Sequence, residues 1–215
     1  MRTSTCPFRT KGGLTTAYLP ACKNAPTYIS LEPGIDISFL VHEFMHAITW
    51  AYEFAGGCKA PEYSWVSEAT SDWAIDFVYP DNNYEHRSIK GYYNPPSGKL
   101  SLPTKDGQHE YGAYLFLFFL ARQFGDPGII RTIWENAEKM MSVPAVDASI
   151  PGGFNAVWDV FSVDNVVEPP YDDYQKWDLL NVKPSGISLI EGQIPATPGF
   201  FMGANRLPPL AHKYE

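Results

Sequence analysis

The sequence is short of positive charge, of cysteine and of long apolar runs, and each shortage removes a class of function. Lys and Arg number 16 against 24 Asp and Glu, for a net charge of −8. Nucleic acids and anionic membranes are bound through clustered cations, so neither is an expected partner. The three cysteines, Cys6, Cys22 and Cys58, show no CxxC spacing, which argues against a cysteine-built zinc site. In a secreted protein one disulfide, Cys6–Cys22, could form. The longest apolar run, Tyr114 to Ala121, falls well short of the roughly 20 residues that span a bilayer. The opening MRTSTCPFRTKGG lacks the apolar stretch of a leader peptide. Internal repeats and low-complexity blocks are missing too.

What is present supports one packed domain. The chain has 215 residues, 45% of them hydrophobic and 19% charged, a balance that builds a core rather than a disordered chain. Residues 1–35 read as irregular with one short strand, Thr27 to Leu31, closed by the turn Glu32-Pro33-Gly34. Asp36 is a plausible N-cap for a first helix, with apolar residues at Ile37, Leu40, Val41, Phe44, Ala47, Ile48 and Ala51 and a stop at Gly56-Gly57. A second helix runs from about Ser64 to Tyr79, ahead of Pro80. Residues 80–108 read as a long Pro- and Gly-rich loop of the kind that shapes binding sites. A third helix is expected from His109 to Phe124, a fourth from Asp126-Pro127 to Met141, and weaker ones over Asn155–Phe161 and Asp172–Leu180. The fold class is α+β and predominantly helical.

The first helix carries HEFMH, His42 to His46. Four residues turn a helix by about 400°, leaving the two imidazoles about 40° apart and about 6 Å along the axis, within reach of one ion. The apolar stripe lies on another face, so the histidine side is expected to form the floor of a cleft. Glu43 stands beside the pair, where a general base would address a metal-bound water. The second helix offers WVSEATSDWA. Glu68 can be the third ligand, and Asp72, one turn on, can accept a hydrogen bond from the far nitrogen of a ligand histidine.

HExxH followed by ExxxD resembles the gluzincin zinc metallopeptidases of the thermolysin-like clan. FLVHEFMHAI, WVSEATSDWA and YGAYLFLFFLARQFGDPGIIRTIWE are most similar to secreted bacterial peptidases of the hyicolysin type, over roughly residues 26–140. The resemblance implies a zincin-like catalytic domain over residues 1–183 with a short or truncated N-terminal β-sheet. Residues 184–215 would form an extended C-terminal segment or a linker to a further module. It implies Zn2+ held by His42, His46 and Glu68, Glu43 as general base and Asp72 behind the ligands. In the family a residue near a Gly-Ala pair stabilises the oxyanion. Here, at Gly112-Ala113, Tyr111 and His109 rank equally, with Tyr114 behind them.

The expected activity is hydrolysis of protein or peptide substrates by a secreted monomer. The substrate would pair as an extended strand with residues 27–31, through Tyr28, Ile29 and Ser30. The alternative is a catalytically inactive gluzincin-like domain that binds a protein or glycan.

Overall fold

The computed structural model describes residues 13–17, 26–57, 61–93, 95–99, 101–164 and Asp178. The three cysteines, the segment 184–215 and most of the Asp172–Leu180 helix candidate lie outside the described residues. The fold is α+β and mostly helical, with one two-stranded sheet.

The sheet is an antiparallel hairpin of β1 (Gly13–Ala17) and β2 (Thr27–Leu31), in the register Gly13↔Leu31 to Ala17↔Thr27. The strand over Thr27–Leu31 was legible. Its partner GLTTA was not, because five residues with no polar–apolar alternation carry no strand period. β1 is nevertheless the better buried of the two strands, and both pack against α1 (Ile37–Thr49). That helix starts as its sequence implies, with the Asp36 carboxylate accepting from the Ser38 backbone N–H at 2.9 Å.

The orientation of α1 differs from the expectation. Its histidine side faces inward: His42, Glu43, His46 and Thr49 are all buried. Ile37, Leu40, Phe44 and Ile48, the stripe that periodicity would assign to a core, are 38–56% exposed. The polar face is not the open floor of a cleft, because β1 on one side and α2 (Ser64–Val78) on the other cover it.

α2 is the central element. Every residue from Ser64 to Asp76 is buried, so it packs on all sides, against α1, α4 (His109–Gly112) and α5 (Tyr114–Phe124). The run Tyr114–Leu120 is likewise fully inside, and Phe116, Phe119, Phe154, Trp158 and Phe161 stack around it. Two indole N–H groups find partners in this interior: Trp65 donates to Ser142 Oγ at 2.7 Å and Trp134 to Thr70 Oγ1 at 3.3 Å. α6 (Gly128–Ala137), α7 (Ser142–Ser149) and α8 (Trp158–Asp164) complete the helices. α6 ends at Ala137, short of the Met141 expected for the fourth helix, and α7, which was not expected, follows from Ser142.

The segment 80–108 is also more ordered than a long loop. It holds a 3-10 turn over Tyr84–Ser88 and the short helix α3 (Ile89–Tyr93), and it buries Tyr92 and Leu102. The Arg87 guanidinium lies 3.8 Å from the Tyr84 ring centroid and 4.8 Å from that of Phe39 on α1, a cation–π clamp that ties the segment down. The expected third helix is split at Ala113. Gly112 lets α4 approach α3 so closely that a Cβ there would lie 2.5 Å from Tyr92 Cβ and 2.6 Å from the Ser88 carbonyl oxygen. Backbone cannot yield as a side-chain tip does. Gly112→Ala should therefore cost about 1–3 kcal/mol, read as a lowered midpoint in chemical denaturation; an unchanged midpoint would show that the helices separate freely.

Candidate metal centre

α1 and α2 bring three donor atoms together. His42 Nε2 lies 3.1 Å from His46 Nε2, and Glu68 Oε2 lies 3.3 Å from each. A tetrahedral ion with bonds of about 2.0–2.1 Å spaces its ligand atoms by roughly 3.3–3.4 Å. The three atoms therefore already form one face of such a tetrahedron. All three residues are buried, and together they could hold a metal ion.

The far side of each imidazole fixes its direction. His42 Nδ1–H donates to Asp72 Oδ1 at 2.8 Å, which leaves the Nε2 lone pair aimed at the donor triangle. His46 Nδ1 sits 3.0 Å from Ser67 Oγ and 3.2 Å from Ser71 Oγ, again leaving Nε2 for the centre. Asp72 is itself held, because Ser88 Oγ donates to its second oxygen. Both Glu68 oxygens are buried without a hydrogen bond of good geometry, and Oε2 faces the two imidazole nitrogens at 3.3 Å. A buried carboxylate left so is costly unless a cation satisfies it.

The electrostatics agree in sign. Burial opposes charge on His42, but hydrogen bonds to Asp72 and Glu68, reinforced by their negative charge, outweigh it and raise the imidazole to about 10. Burial would likewise raise Glu68, yet the charge of His46 and the close approach of both imidazoles pull it down to about 2. The pocket thus stabilises positive charge at its centre, and that preference favours a cation.

Comparison with known proteins finds no matching family model, no matching curated protein and no matching solved structure. Function must accordingly be argued from this geometry alone.

Glu43 is fully buried beside the triad on α1. β1 seats its carboxylate: Thr15 Oγ1 donates to Glu43 Oε2 at 2.7 Å, and a Cβ at Gly13 would fall 2.8 Å from Glu43 Cγ and Oε1. The unforeseen strand thus positions the expected base. Tyr28, Ile29 and Ser30 lie one strand further out, paired with Thr16, Thr15 and Leu14. Ile29 shares the Thr15 face, since directly paired residues do. Tyr28, on the opposite face, is exposed.

The structure also separates the two oxyanion candidates. The Tyr111 ring stacks on His42 with centroids 6.0 Å apart and planes 20° apart. Burial pushes its phenol well above the usual range, with Glu68, Asp72, Glu110 and Glu43 adding to the shift. His109 is placed elsewhere. It stacks on Tyr92 at 4.8 Å, and its Nδ1–H donates to the Tyr92 carbonyl at 3.1 Å. Its backbone N–H is capped by Asp106 at the start of α4, while the ring itself is held against α3 by the Tyr92 ring and carbonyl. Tyr114 is fully buried in the core with its hydroxyl unpartnered.

Sequence reasoning missed Thr15, Ser67, Ser71 and Ser88. The two α2 serines could have been found, since they repeat the Glu68–Asp72 spacing one position earlier. Thr15 and Ser88 sit in segments with no readable period. Removing the support of His42 should weaken the metal site without emptying it. Asp72→Ala is expected to lower metal affinity about 10–100-fold, measured by competition with a chromophoric chelator; unchanged affinity would show that the His42–Asp72 hydrogen bond does not orient the ligand.

Proposed function

We propose that this chain is a zinc-dependent metallopeptidase with a gluzincin-type catalytic centre, secreted and acting on protein or peptide substrates. The observation that carries the proposal is the donor triangle of His42, His46 and Glu68 with Glu43 seated next to it and Tyr111 across from His42. Two imidazoles and one carboxylate suit Zn2+ and leave a fourth position open, the arrangement of catalytic rather than structural zinc. Bound there, Zn2+ would polarise the scissile carbonyl and acidify a water.

The chain's own residues supply the rest. Glu43 accepts the proton of the attacking water and returns it to the leaving amine, so that one water is added across one peptide bond. Thr15 keeps the Glu43 carboxylate in place by donating to it. Tyr111, held protonated by its raised pKa, donates its phenolic hydrogen to the developing oxyanion. Asp72 keeps the His42 tautomer fixed throughout.

One observation favours a second reading, an inactive domain whose metal is structural and which binds a protein or glycan. His42, Glu43, His46 and Glu68 are all 0–1% exposed, and Tyr111 is the member of the site that reaches the surface in part. Ligand burial alone is usual at zinc, so the readings separate on activity. Zinc-loaded protein should cleave a casein-like substrate, and Glu43→Gln should lose about 10²–10⁴-fold in kcat while still binding zinc. Equal rates for the two proteins would leave the structural reading. Tyr111→Phe should lower kcat by about 10²-fold or more with little change in KM. Because the wild-type phenol stays protonated through neutral and mildly alkaline pH, no alkaline loss of activity below about pH 10 should trace to Tyr111. An alkaline limb in that range that vanishes in Tyr111→Phe would contradict the assignment.

A further inference from the structure

A second polar cluster is centred on the Tyr84–Ser88 turn, and none of its members takes part in the site above. His86 Nε2 lies 2.8 Å from Asp178 Oδ2 and 3.2 Å from Glu85 Oε1, all three donor atoms falling within 4.8 Å of one another. Glu85 is fully buried, and neither of its carboxylate oxygens has a hydrogen-bond partner. Asp76 on α2 is 5% exposed with its Oδ1 unpartnered, and it lies within electrostatic reach of Asp178 and His86.

Proton bookkeeping does not satisfy this arrangement. A single imidazole N–H at Nε2 can be given to Asp178, the nearer acceptor, but it cannot also serve Glu85. A fully buried carboxylate then remains that only a proton of its own or a cation can neutralise, and as a bare charge it is expensive in a low-dielectric interior. An ion accepts electron pairs from all three groups at once. We propose that Glu85, His86 and Asp178 form a second cation site, selective for a divalent transition metal. An imidazole among the donors argues against Ca2+ or Mg2+, which prefer oxygen alone. One nitrogen with two carboxylates suits Zn2+ or Mn2+ instead. His86 provides the approach, its side chain being 22% exposed while those of Glu85 and Asp178 are 0% and 6% exposed.

The test is stoichiometric and needs no activity. Metal-free full-length chain is titrated with Zn2+ against a chromophoric chelator. The wild type should take up two equivalents. Glu85→Gln, nearly isosteric, should take up one, and so should Asp178→Asn, which alters the cluster from a different segment. His42→Ala should also take up one, but lose the other equivalent, so that Glu85→Gln combined with His42→Ala takes up none. A wild type that binds a single equivalent retained in Glu85→Gln overturns the second site and leaves the first. Two equivalents in both Glu85→Gln and Asp178→Asn overturn the ligand assignment. Ca2+ competing with Zn2+ for the Glu85-dependent equivalent at equal concentration would overturn the selectivity.

Discussion

The interface between α1 and α2 buries two imidazoles and three carboxylates, those of Glu43, Glu68 and Asp72, and the rest of the structure is arranged to make that burial tolerable. Desolvating such groups costs several kcal/mol each unless they are paired. Pairing is therefore nearly complete: Asp72 takes the His42 proton, Ser88 serves Asp72, Ser67 and Ser71 serve His46, and Thr15 serves Glu43. Glu68 is the exception, and its oxygens, without a hydrogen bond of good geometry, stand beside the Nε2 atoms of the two imidazoles. A network satisfied everywhere except at one focus concentrates its remaining electrostatic demand there, and that demand is for a cation.

This accounts for the inverted amphipathicity of α1. Periodicity alone would turn Ile37, Leu40, Phe44 and Ile48 inward and leave the histidines on the surface. The opposite occurs, because a polar face whose every group has an assigned partner can be buried more specifically than an apolar stripe. The hydrophobic contribution is supplied by other elements: α5 is buried over Tyr114–Leu120, and α2 over thirteen consecutive positions from Ser64 to Asp76. Both helices are hemmed in on all sides. α1 is free to spend its inner face on chemistry.

How much of this could be read from the chain follows from which signals are local. The spacings His42–His46 and Glu68–Asp72 are one helical turn each, and a turn places side chains on one face whatever surrounds the helix. Helix frames and candidate ligands were therefore legible, as were the Asp36 cap and the strand over Thr27–Leu31. Contacts across long sequence separation were not. Thr15 reaches Glu43 across 28 residues and Ser88 reaches Asp72 across 16, and no period in GLTTA or in residues 80–108 announces either contact. Tyr111 and His109 could not be ranked because they are only two residues apart in a short helix. The capping of His109 by Asp106 and its stacking on Tyr92 are tertiary facts.

The α2 sequence holds one more regularity. Glu68, Asp72 and Asp76 stand at successive turns, a line of three carboxylates along one buried face. Their environments diverge step by step. Burial acts to raise both Glu68 and Asp76, but Glu68 faces two imidazoles and is drawn down to about 2, while Asp76 meets another carboxylate, Asp178, and is pushed up to about 6. Glu85, under the same burial, is pushed up to about 7. The 3-10 turn Tyr84–Ser88 packs against α2 and contributes to both polar centres, Ser88 to Asp72 and Glu85 with His86 to the outer cluster. The two polar centres thus share a helix and a turn as common framework. A displacement of Tyr84–Ser88 that broke the Ser88–Asp72 contact would move Glu85 and His86 with it, so the orientation of His42 at one centre is mechanically tied to the donor geometry of the other.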